Sequence, residues 1–139
     1  MIVGVADTHT ALWHLFGDAK LSRPAEDFIQ AAAARRDKVA VSAISVAELV
    51  YLVEKNRLPH SAYDELLRAL KNPAHVFTEA ALTVEVVQSM WQVSRTEVPD
   101  MPDRIVAATA VAHKLPLVSA DSHILGSASL KALIQLIWS

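Results

Sequence analysis

Residues 1–16 read MIVGVADTHTALWHLF, a short apolar run that stops at an acid and continues as a helical pattern. Met1–Ala6 has the composition of a buried strand, and Asp7 interrupts it. Thr8–Phe16 places its apolar residues at helical spacing, and Gly17 stops that pattern. The order of strand, acid and helix is typical of α/β proteins with parallel sheets, in which short buried strands alternate with helices.

The same alternation continues along the rest of the chain. Apolar runs predict further strands at Val39–Ala43, His75–Thr78 and Leu117–Ala120, and Leu133–Trp138 is a candidate last strand. Helical spacing predicts helices at Arg23–Arg36, Ser45–Glu54, Ser61–Leu70, Thr83–Arg95 and Asp103–His113. No Asn-Gly or Asp-Gly hairpin signal occurs. The pattern therefore predicts a parallel sheet covered by helices on both faces.

The length of 139 residues and the hydrophobic fraction of 53% fit one compact domain, 1–139, with a sizeable core. The mean hydropathy of +0.28 is high for a soluble monomer of this size. Apolar surface buried against another subunit explains that value, and so does an alanine-rich helical protein. Composition leaves these two explanations equally open.

Several classes of protein are excluded or disfavoured by the sequence. The chain has no cysteine, which excludes disulfides, iron–sulfur clusters and thiolate zinc sites and suits a reducing cytoplasm. Charges break every apolar stretch well short of the roughly 18–20 residues that a membrane span needs. Met1–Ala6 carries no basic residue, so no signal peptide is expected. The net charge of −2 argues against a uniformly basic surface, although a basic rim around an acidic centre stays open.

Four acids stand beside predicted strand ends or helix starts, and each has an ordinary structural explanation. Asp7 lies where an aspartate commonly caps a helix. Glu48 follows Ser45 at the spacing of a capping box. Asp103 lies in a first helical turn, where it favours the helix dipole. Asp121 follows a strand, where turns favour aspartate.

Their joint placement points to chemistry instead. The carboxyl ends of parallel strands lie along one edge of a sheet, so all four acids are expected to converge there. Two carboxylates about 4 Å apart repel by roughly 4 kcal/mol at an effective dielectric constant near 20. A divalent cation removes that cost, and oxygen-only ligands favour Mg²⁺ or Mn²⁺ over zinc. Such ions support phosphodiester hydrolysis, with one or two ions equally compatible with the residues.

The segments that carry these acids resemble the four motifs of the PIN domain, and more narrowly of the VapC-type toxins of toxin–antitoxin pairs. They are, in chain order, ADTHTALW at 6–13, SAISVAEL at 42–49, PDRIVAATA at 102–110 and LVSAD at 117–121. One motif alone is weak evidence, but four in the right order over nearly the whole chain are specific.

The resemblance implies a PIN-like three-layer α/β/α domain whose central parallel sheet has about five strands. It also implies a Mg²⁺-dependent endoribonuclease, with Mn²⁺ as an alternative ion, that forms homodimers and binds a cognate antitoxin whose peptide enters the active site. Carried over by position, the metal-binding and catalytic acids are Asp7, Glu48, Asp103 and Asp121. Ser119 falls where the family usually has threonine or serine, and Thr8, beside Asp7, is a second supporting residue.

Other polar residues near the motifs keep two interpretations. Arg104 contacts phosphate or, as we favour, pairs with a neighbouring acid to hold the site. Asp100 caps the following helix, which we favour, or serves as an accessory acid. His9 is closest in sequence to an acid, but packing explains it better than substrate contact. The tryptophans are expected to be core or interface anchors, with base stacking a minor alternative: Trp13, Trp91 and Trp138.

Two surfaces also keep alternatives. The basic residues Arg23, Arg35, Arg36 and Lys38 could meet RNA backbone or form a solvated face. The apolar helix pair Val46–Val53 and Tyr63–Leu70 is a candidate dimer or antitoxin surface, or ordinary core.

A competing hypothesis of a different class is a non-catalytic PIN-fold protein-interaction module that uses the acids only as helix caps. The intact set of four acids counts against it, because caps alone would allow serine or asparagine at these positions. Metal binding would distinguish the two.

Overall fold

The computed structural model describes residues 1–139 and contains five strands and eight α-helices. The strands are β1 Ile2–Ala6, β2 Lys38–Ser42, β3 Phe77–Ala80, β4 Leu117–Val118 and β5 Leu136–Ile137. The helices are α1 Thr8–Phe16, α2 Arg23–Ala34, α3 Ala43–Glu54, α4 His60–Lys71, α5 Val84–Ser89, α6 Met101–His113, α7 Ser122–Leu125 and α8 Ala128–Leu133. A 3-10 turn, Met90–Gln92, follows α5.

All five strands pair in parallel, in the order β3-β2-β1-β4-β5. The chain first moves outward from β1 to β3 and then returns to the other side of β1 for β4 and β5. The order therefore reverses between β1 and β4, and in open parallel sheets ligands bind in the crevice at such a switch point. The predicted three-layer α/β/α fold with a five-stranded parallel sheet is confirmed.

Alternate residues of each strand point to opposite faces of the sheet and build two separate cores. On one face Ala6, Val39 and Val41 pack with apolar residues of α1 to α4. On the other face Val5 and Ala40 pack with residues of α5 to α8, chiefly the small residues of α6. Burial of both faces explains why the strands read as continuous apolar runs rather than as an alternating pattern.

The boundaries predicted for most elements agree with the structure to within a few residues, but two regions differ. The helix predicted at Thr83–Arg95 ends at Ser89 and passes into the 3-10 turn. The stretch after Asp121 forms the short helices α7 and α8, which were not predicted, so that the last strand covers only Leu136–Ile137. Each helix begins at a capping side chain, Asp121 and Ser127 respectively.

The topology shows where the basic residues that could meet RNA backbone lie. The basic residues Arg35 and Arg36 precede β2 and Lys38 begins it, at the edge of the sheet opposite the acids. Arg35 pairs there with Asp37 at 3.2 Å, and Lys38 donates to the carbonyl of Pro73, so both have local structural partners.

Membrane insertion was also considered from the sequence. No helix in the structure has the length and apolar character required to span a bilayer.

The apolar helix pair α3 and α4 is mainly core. Leu49 and Leu66 are fully buried against the sheet. Val50 and Tyr51, on the outer side of α3, are 42% and 52% exposed. Of the tryptophans, which were expected in the core or at an interface, Trp91 is 90% exposed, so it is not part of the core of this chain.

Candidate active site

The four predicted acids line one cavity of about 330 Å³ at the carboxyl edge of the sheet. Asp7 follows β1, Asp121 comes three residues after β4, Glu48 lies in α3 and Asp103 in the first turn of α6. The cavity is completed by Thr8, His9, Trp13 and Ala120. The predicted convergence at the carboxyl edge of the sheet is therefore present in the structure.

Asp7 is the most buried of the four acids, with 6% of its surface exposed. Its Oδ1 accepts from the backbone N–H of Thr10 at 2.9 Å, so it caps α1 as one interpretation proposed. Its Oδ2 accepts from the Ser119 hydroxyl at 2.5 Å. Burial raises the pKa of this carboxyl, and the hydrogen bonds from Ser119 and Thr10 oppose that rise.

Glu48 is held by the residue that follows Asp7. Thr8 Oγ1 lies 2.7 Å from Glu48 Oε1 and 2.8 Å from Ser45 Oγ. A hydroxyl has one hydrogen, so a Thr8 that donates to the carboxylate accepts from Ser45. The capping-box explanation of Glu48 is wrong, because α3 begins at Ala43 and its N-cap is Ser42.

Asp103 lies half-buried in the first turn of α6 and makes no side-chain hydrogen bond of its own. Its pKa is raised to about 7, first by burial and then by the charges of Asp121, Asp100, Glu48 and Asp7. The other three acids of the cavity are thus close enough to oppose ionisation of this one. The repulsion between carboxylates that the sequence predicts therefore acts on Asp103 and raises its pKa.

Asp121 is both a wall of the cavity and the N-cap of α7. Its Oδ1 accepts from the backbone N–H of Ile124 at 3.0 Å, and His123 Nδ1 lies 3.9 Å from the same oxygen. Its own backbone N–H donates to Ser119 Oγ at 3.0 Å. Fully buried Ser119 therefore joins Asp7 to the loop that carries Asp121.

The donor set suits a hard divalent cation, but the side chains are not grouped around a single point. The lining offers carboxylate and hydroxyl oxygens, and it contains no lysine or arginine to neutralise the four acids. Such oxygen donors suit Mg²⁺ or Mn²⁺. No three histidine, aspartate or glutamate side chains are already placed to hold one ion. The chemistry of the residues thus fits a metal, while the local hydrogen bonds of Asp7 and Asp121 fix their present orientations.

The favoured role of Arg104 is wrong, because it pairs with no acid. Its Nη2 donates to the carbonyls of Met90 and Val93 at 2.7 and 3.1 Å. On α6, Arg104 lies one residue beyond Asp103 and therefore points about 100° away from it. The guanidinium closes the 3-10 turn after α5, which explains why that helix ends earlier than its sequence pattern suggests.

Asp100 occupies the N-cap position of α6, as favoured, but its side chain makes no capping hydrogen bond. It is exposed and is not part of the cavity lining. Its charge nevertheless contributes to the raised pKa of Asp103. Its structural role is therefore to start the helix by position and to influence the site only through its charge.

The supporting contacts were only partly visible in the sequence. Thr8 and Ser119 were identified as supporting residues by motif position, but their partners, Glu48 and Asp7, were not predicted. Ser45 was assigned to a cap and instead contacts Thr8 across 37 positions of sequence. No local pattern encodes that contact, because it depends on the crossing of α1 and α3.

Comparison with known proteins places this geometry in a family. The model of the PIN domain matches residues 5–126. A curated protein of Mycobacterium tuberculosis, Ribonuclease VapC22, is 30% identical over 121 residues, which are 87% of this chain and 88% of that protein.

Solved structures with the same fold come from toxin–antitoxin complexes. A chain of VapBC2 from Rickettsia felis, crystallised with a promoter DNA fragment, superposes with a TM-score of 0.68 at 16% identity and covers 98% of this chain and 99% of that one. A chain of a toxin–antitoxin complex from Klebsiella pneumoniae gives a TM-score of 0.58 at 21% identity, covering 91% and 93%. At these identities the likeness supports the fold alone.

Proposed function

The chain belongs to the PIN-domain family, and from that premise we propose that it is a Mg²⁺- or Mn²⁺-dependent endoribonuclease, the toxin of a VapBC-type toxin–antitoxin pair. One observation carries the proposal: Asp7, Glu48, Asp103 and Asp121 come from four separate parts of the chain and line one cavity that contains no lysine or arginine. The ribonuclease name of the Mycobacterium relative supports the reaction.

The four acids would hold the metal through carboxylate oxygens. A bound divalent ion would supply polarisation of the scissile phosphate and activation of water for attack on phosphorus. The chain itself supplies orientation. Thr8 fixes Glu48 by a hydrogen bond of 2.7 Å, and Ser119 fixes Asp7 by one of 2.5 Å.

Two of the four acids have no competing structural duty, and this favours a catalytic role. Glu48 lies beyond the first turn of α3 and caps nothing. Asp103 is half-buried with a pKa raised to about 7, so its ionised form is destabilised in the metal-free protein. A side chain that costs stability where it stands is expected at a functional site rather than at a purely structural one.

The alternative, a non-catalytic PIN-fold interaction module, is favoured by a specific observation. Asp7 and Asp121 cap α1 and α7 by direct hydrogen bonds, so half of the acidic set has a structural use. The alternative leaves Glu48 and Asp103 without a role. It predicts that no divalent ion binds at the cavity.

Cleavage of RNA by the purified chain tests the proposed reaction. Total cellular RNA is incubated with Mg²⁺, Mn²⁺ or EDTA and with the wild type, Asp7→Asn or Asp27→Asn. Asparagine at position 7 keeps a capping oxygen, so α1 should stay folded. Asp27 is an exposed acid of α2 that pairs only with Arg23, at 3.9 Å, and its variant is the matched control.

We expect metal-dependent cleavage by the wild type and by Asp27→Asn. Loss of even an outer partner of a metal ligand costs about 10- to 100-fold, so Asp7→Asn should lose at least about 100-fold. Cleavage by Asp7→Asn at the wild-type rate would contradict the assignment of the site.

The toxin role is tested in cells. Induced expression of the wild type should arrest growth, and Asp7→Asn at equal protein level should not. Continued growth with the wild type, despite RNA cleavage by the purified protein, would contradict the role as a toxin while leaving the nuclease in place.

The partners proposed with this function are a cognate antitoxin protein and a second copy of the chain. The toxin–antitoxin complexes of the same fold support the antitoxin. The homodimer is supported by exposed apolar residues on α3, Val50 and Tyr51. Light scattering after size-exclusion chromatography should give twice the chain mass of 15.1 kDa for the wild type and a monomer for Val50→Glu. A monomeric wild type would exclude the homodimer.

A further inference from the structure

We propose that a second cavity beside the acidic one binds a single unpaired nucleobase of the RNA, stacked on Trp13. This inference rests on the proposed ribonuclease function and deepens it by assigning a substrate subsite. It is argued from the shape of the cavity, from the support of the Trp13 ring and from charge.

The second cavity has a volume of about 510 Å³ and lies between α1 and the start of α4. Most of its wall is apolar, including Leu12, Phe16 and Leu58. Two residues, His9 and Trp13, line both this cavity and the acidic one. A nucleotide strand with a phosphate at the acids can therefore place a neighbouring base against the same tryptophan.

Trp13 is held in place by two aromatic neighbours. The His9 ring lies 5.8 Å from it and the Trp138 ring 5.7 Å, both measured between centroids. Trp138 comes from the end of the chain after β5, and its carbonyl accepts a hydrogen bond from Ser22 at the start of α2. The indole of Trp13 is thus fixed but only partly buried. Fixed aromatic faces of this kind take up unpaired bases by stacking.

The rim of the second cavity carries one positive and one negative side chain, Lys20 and Asp18. Lys20 is exposed and is the one lysine or arginine that lines either cavity. The backbone N–H of Lys20 donates to Asp18 Oδ1 at 2.9 Å, which orders the loop that carries it. An ammonium beside an apolar slot complements a base with its attached phosphate.

Binding of short ribonucleotides tests the subsite. Fluorescein-labelled hexamers of A, C and U are titrated by anisotropy in Mg²⁺ with the full chain carrying Asp7→Asn, so that cleavage does not interfere. Four proteins are compared: this background alone and with Trp13→Leu, Trp13→Phe or Trp91→Leu. Trp91 is 90% exposed and lines neither cavity, so Trp91→Leu is the matched control.

Stacking of one base is worth about 5- to 150-fold in affinity, so we expect Trp13→Leu to weaken binding of the tightest hexamer by that factor. Trp13→Phe, which keeps a ring, should retain most of the affinity, and Trp91→Leu should bind as the background does. Replacing each base of the hexamer in turn by an abasic site should identify one position that loses affinity with Trp13 present and none with Trp13→Leu. If the Leu variant unfolds, the abasic series with Trp13 present still tests the subsite, because equal loss at every position of the hexamer would contradict it.

Equal affinity of Trp13→Leu and the background for every hexamer would overturn the subsite and leave the cavity to a peptide ligand. If the protein with the native Asp7 still cleaves RNA in that case, the proposed function stands without the subsite. Trp13-dependent binding without cleavage by the wild type would instead retain the subsite and contradict the nuclease. Absence of hexamer binding by all four proteins would overturn the subsite as well.

Discussion

Raising the pH of the metal-free protein should destabilise it through Asp103. The pKa of this carboxyl is about 7 in the folded chain and near 3.8 when it is unperturbed. A folded-state pKa that is raised above the unfolded value contributes stability below the unfolded pKa, and this stability is lost as the pH rises through the folded pKa. The loss should therefore fall between about pH 4 and pH 7.

The size of the effect follows from the shift. A shift of about three pKa units corresponds to roughly 4 kcal/mol at about 1.4 kcal/mol per unit. Asp103 is only half-buried, so solvent screens the charges that act on it, and about 2 kcal/mol is the more realistic value. The free energy of unfolding should thus fall by about 2 kcal/mol between about pH 4 and pH 7.

Urea denaturation in EDTA, followed by circular dichroism at each pH, measures this loss. Asp103→Asn removes the charge and should flatten the profile, so that the variant is the more stable protein above pH 7. Asp27→Asn is the control, because that acid is exposed, lies outside the cavity and is not among the charges that raise the pKa of Asp103. If the free energy of unfolding changed with pH in the same way for the wild type and Asp103→Asn, the loss of stability could not be assigned to this carboxylate.

Three further perturbations have expected outcomes. Ser119→Ala removes the hydroxyl that donates to Asp7 and accepts from the backbone N–H of Asp121. It should lower the free energy of unfolding, measured in urea, by about 1–3 kcal/mol and should lower kcat of RNA cleavage. Ser119→Thr should keep much of the stability and of kcat. Arg104→Met removes the donor to the carbonyls of Met90 and Val93 and should cost about 2–3 kcal/mol without changing KM for RNA; a raised KM would show contact with substrate. Gly4→Ala places a Cβ 2.7 Å from two ring atoms of Phe28 and should cost about 1–3 kcal/mol, and Phe28→Leu should relieve most of this cost; equal stability of Gly4→Ala and the wild type would show that the ring moves freely.

The fold was predictable because its strands are buried on both faces and are separated by helices of ordinary length. Val39–Val41 is an example, since all three residues are apolar and face two different cores. The positions of the four acids were predictable because parallel strands end at one edge and because the four motifs have a fixed order. Strand burial, the alternation of strands and helices and the order of the motifs can all be recognised from the sequence pattern.

The missed features depend on contacts between distant elements. Arg104 was expected to meet an acid, but the open carbonyls of Met90 and Val93 lie on the side of α6 that it faces. The contact between Thr8 and Ser45 requires α1 and α3 to be placed side by side. The helices α7 and α8 are four and six residues long, too short for a helical period to be recognised. The surroundings of Trp13 and Trp138, at opposite ends of the chain, could not be foreseen either.

Calorimetric titration of the EDTA-treated, dialysed protein with Mn²⁺ at pH 7 is the most direct test of the central claim that the four acids form one metal site. A metal site at the four acids should give saturable Mn²⁺ binding to the wild type, with release of protons because Asp103 is partly protonated at this pH. Binding should be much weaker to Asp103→Asn and unchanged for Asp27→Asn. Absence of binding to the wild type, or equal affinity in all three proteins, would contradict a metal site formed by these acids.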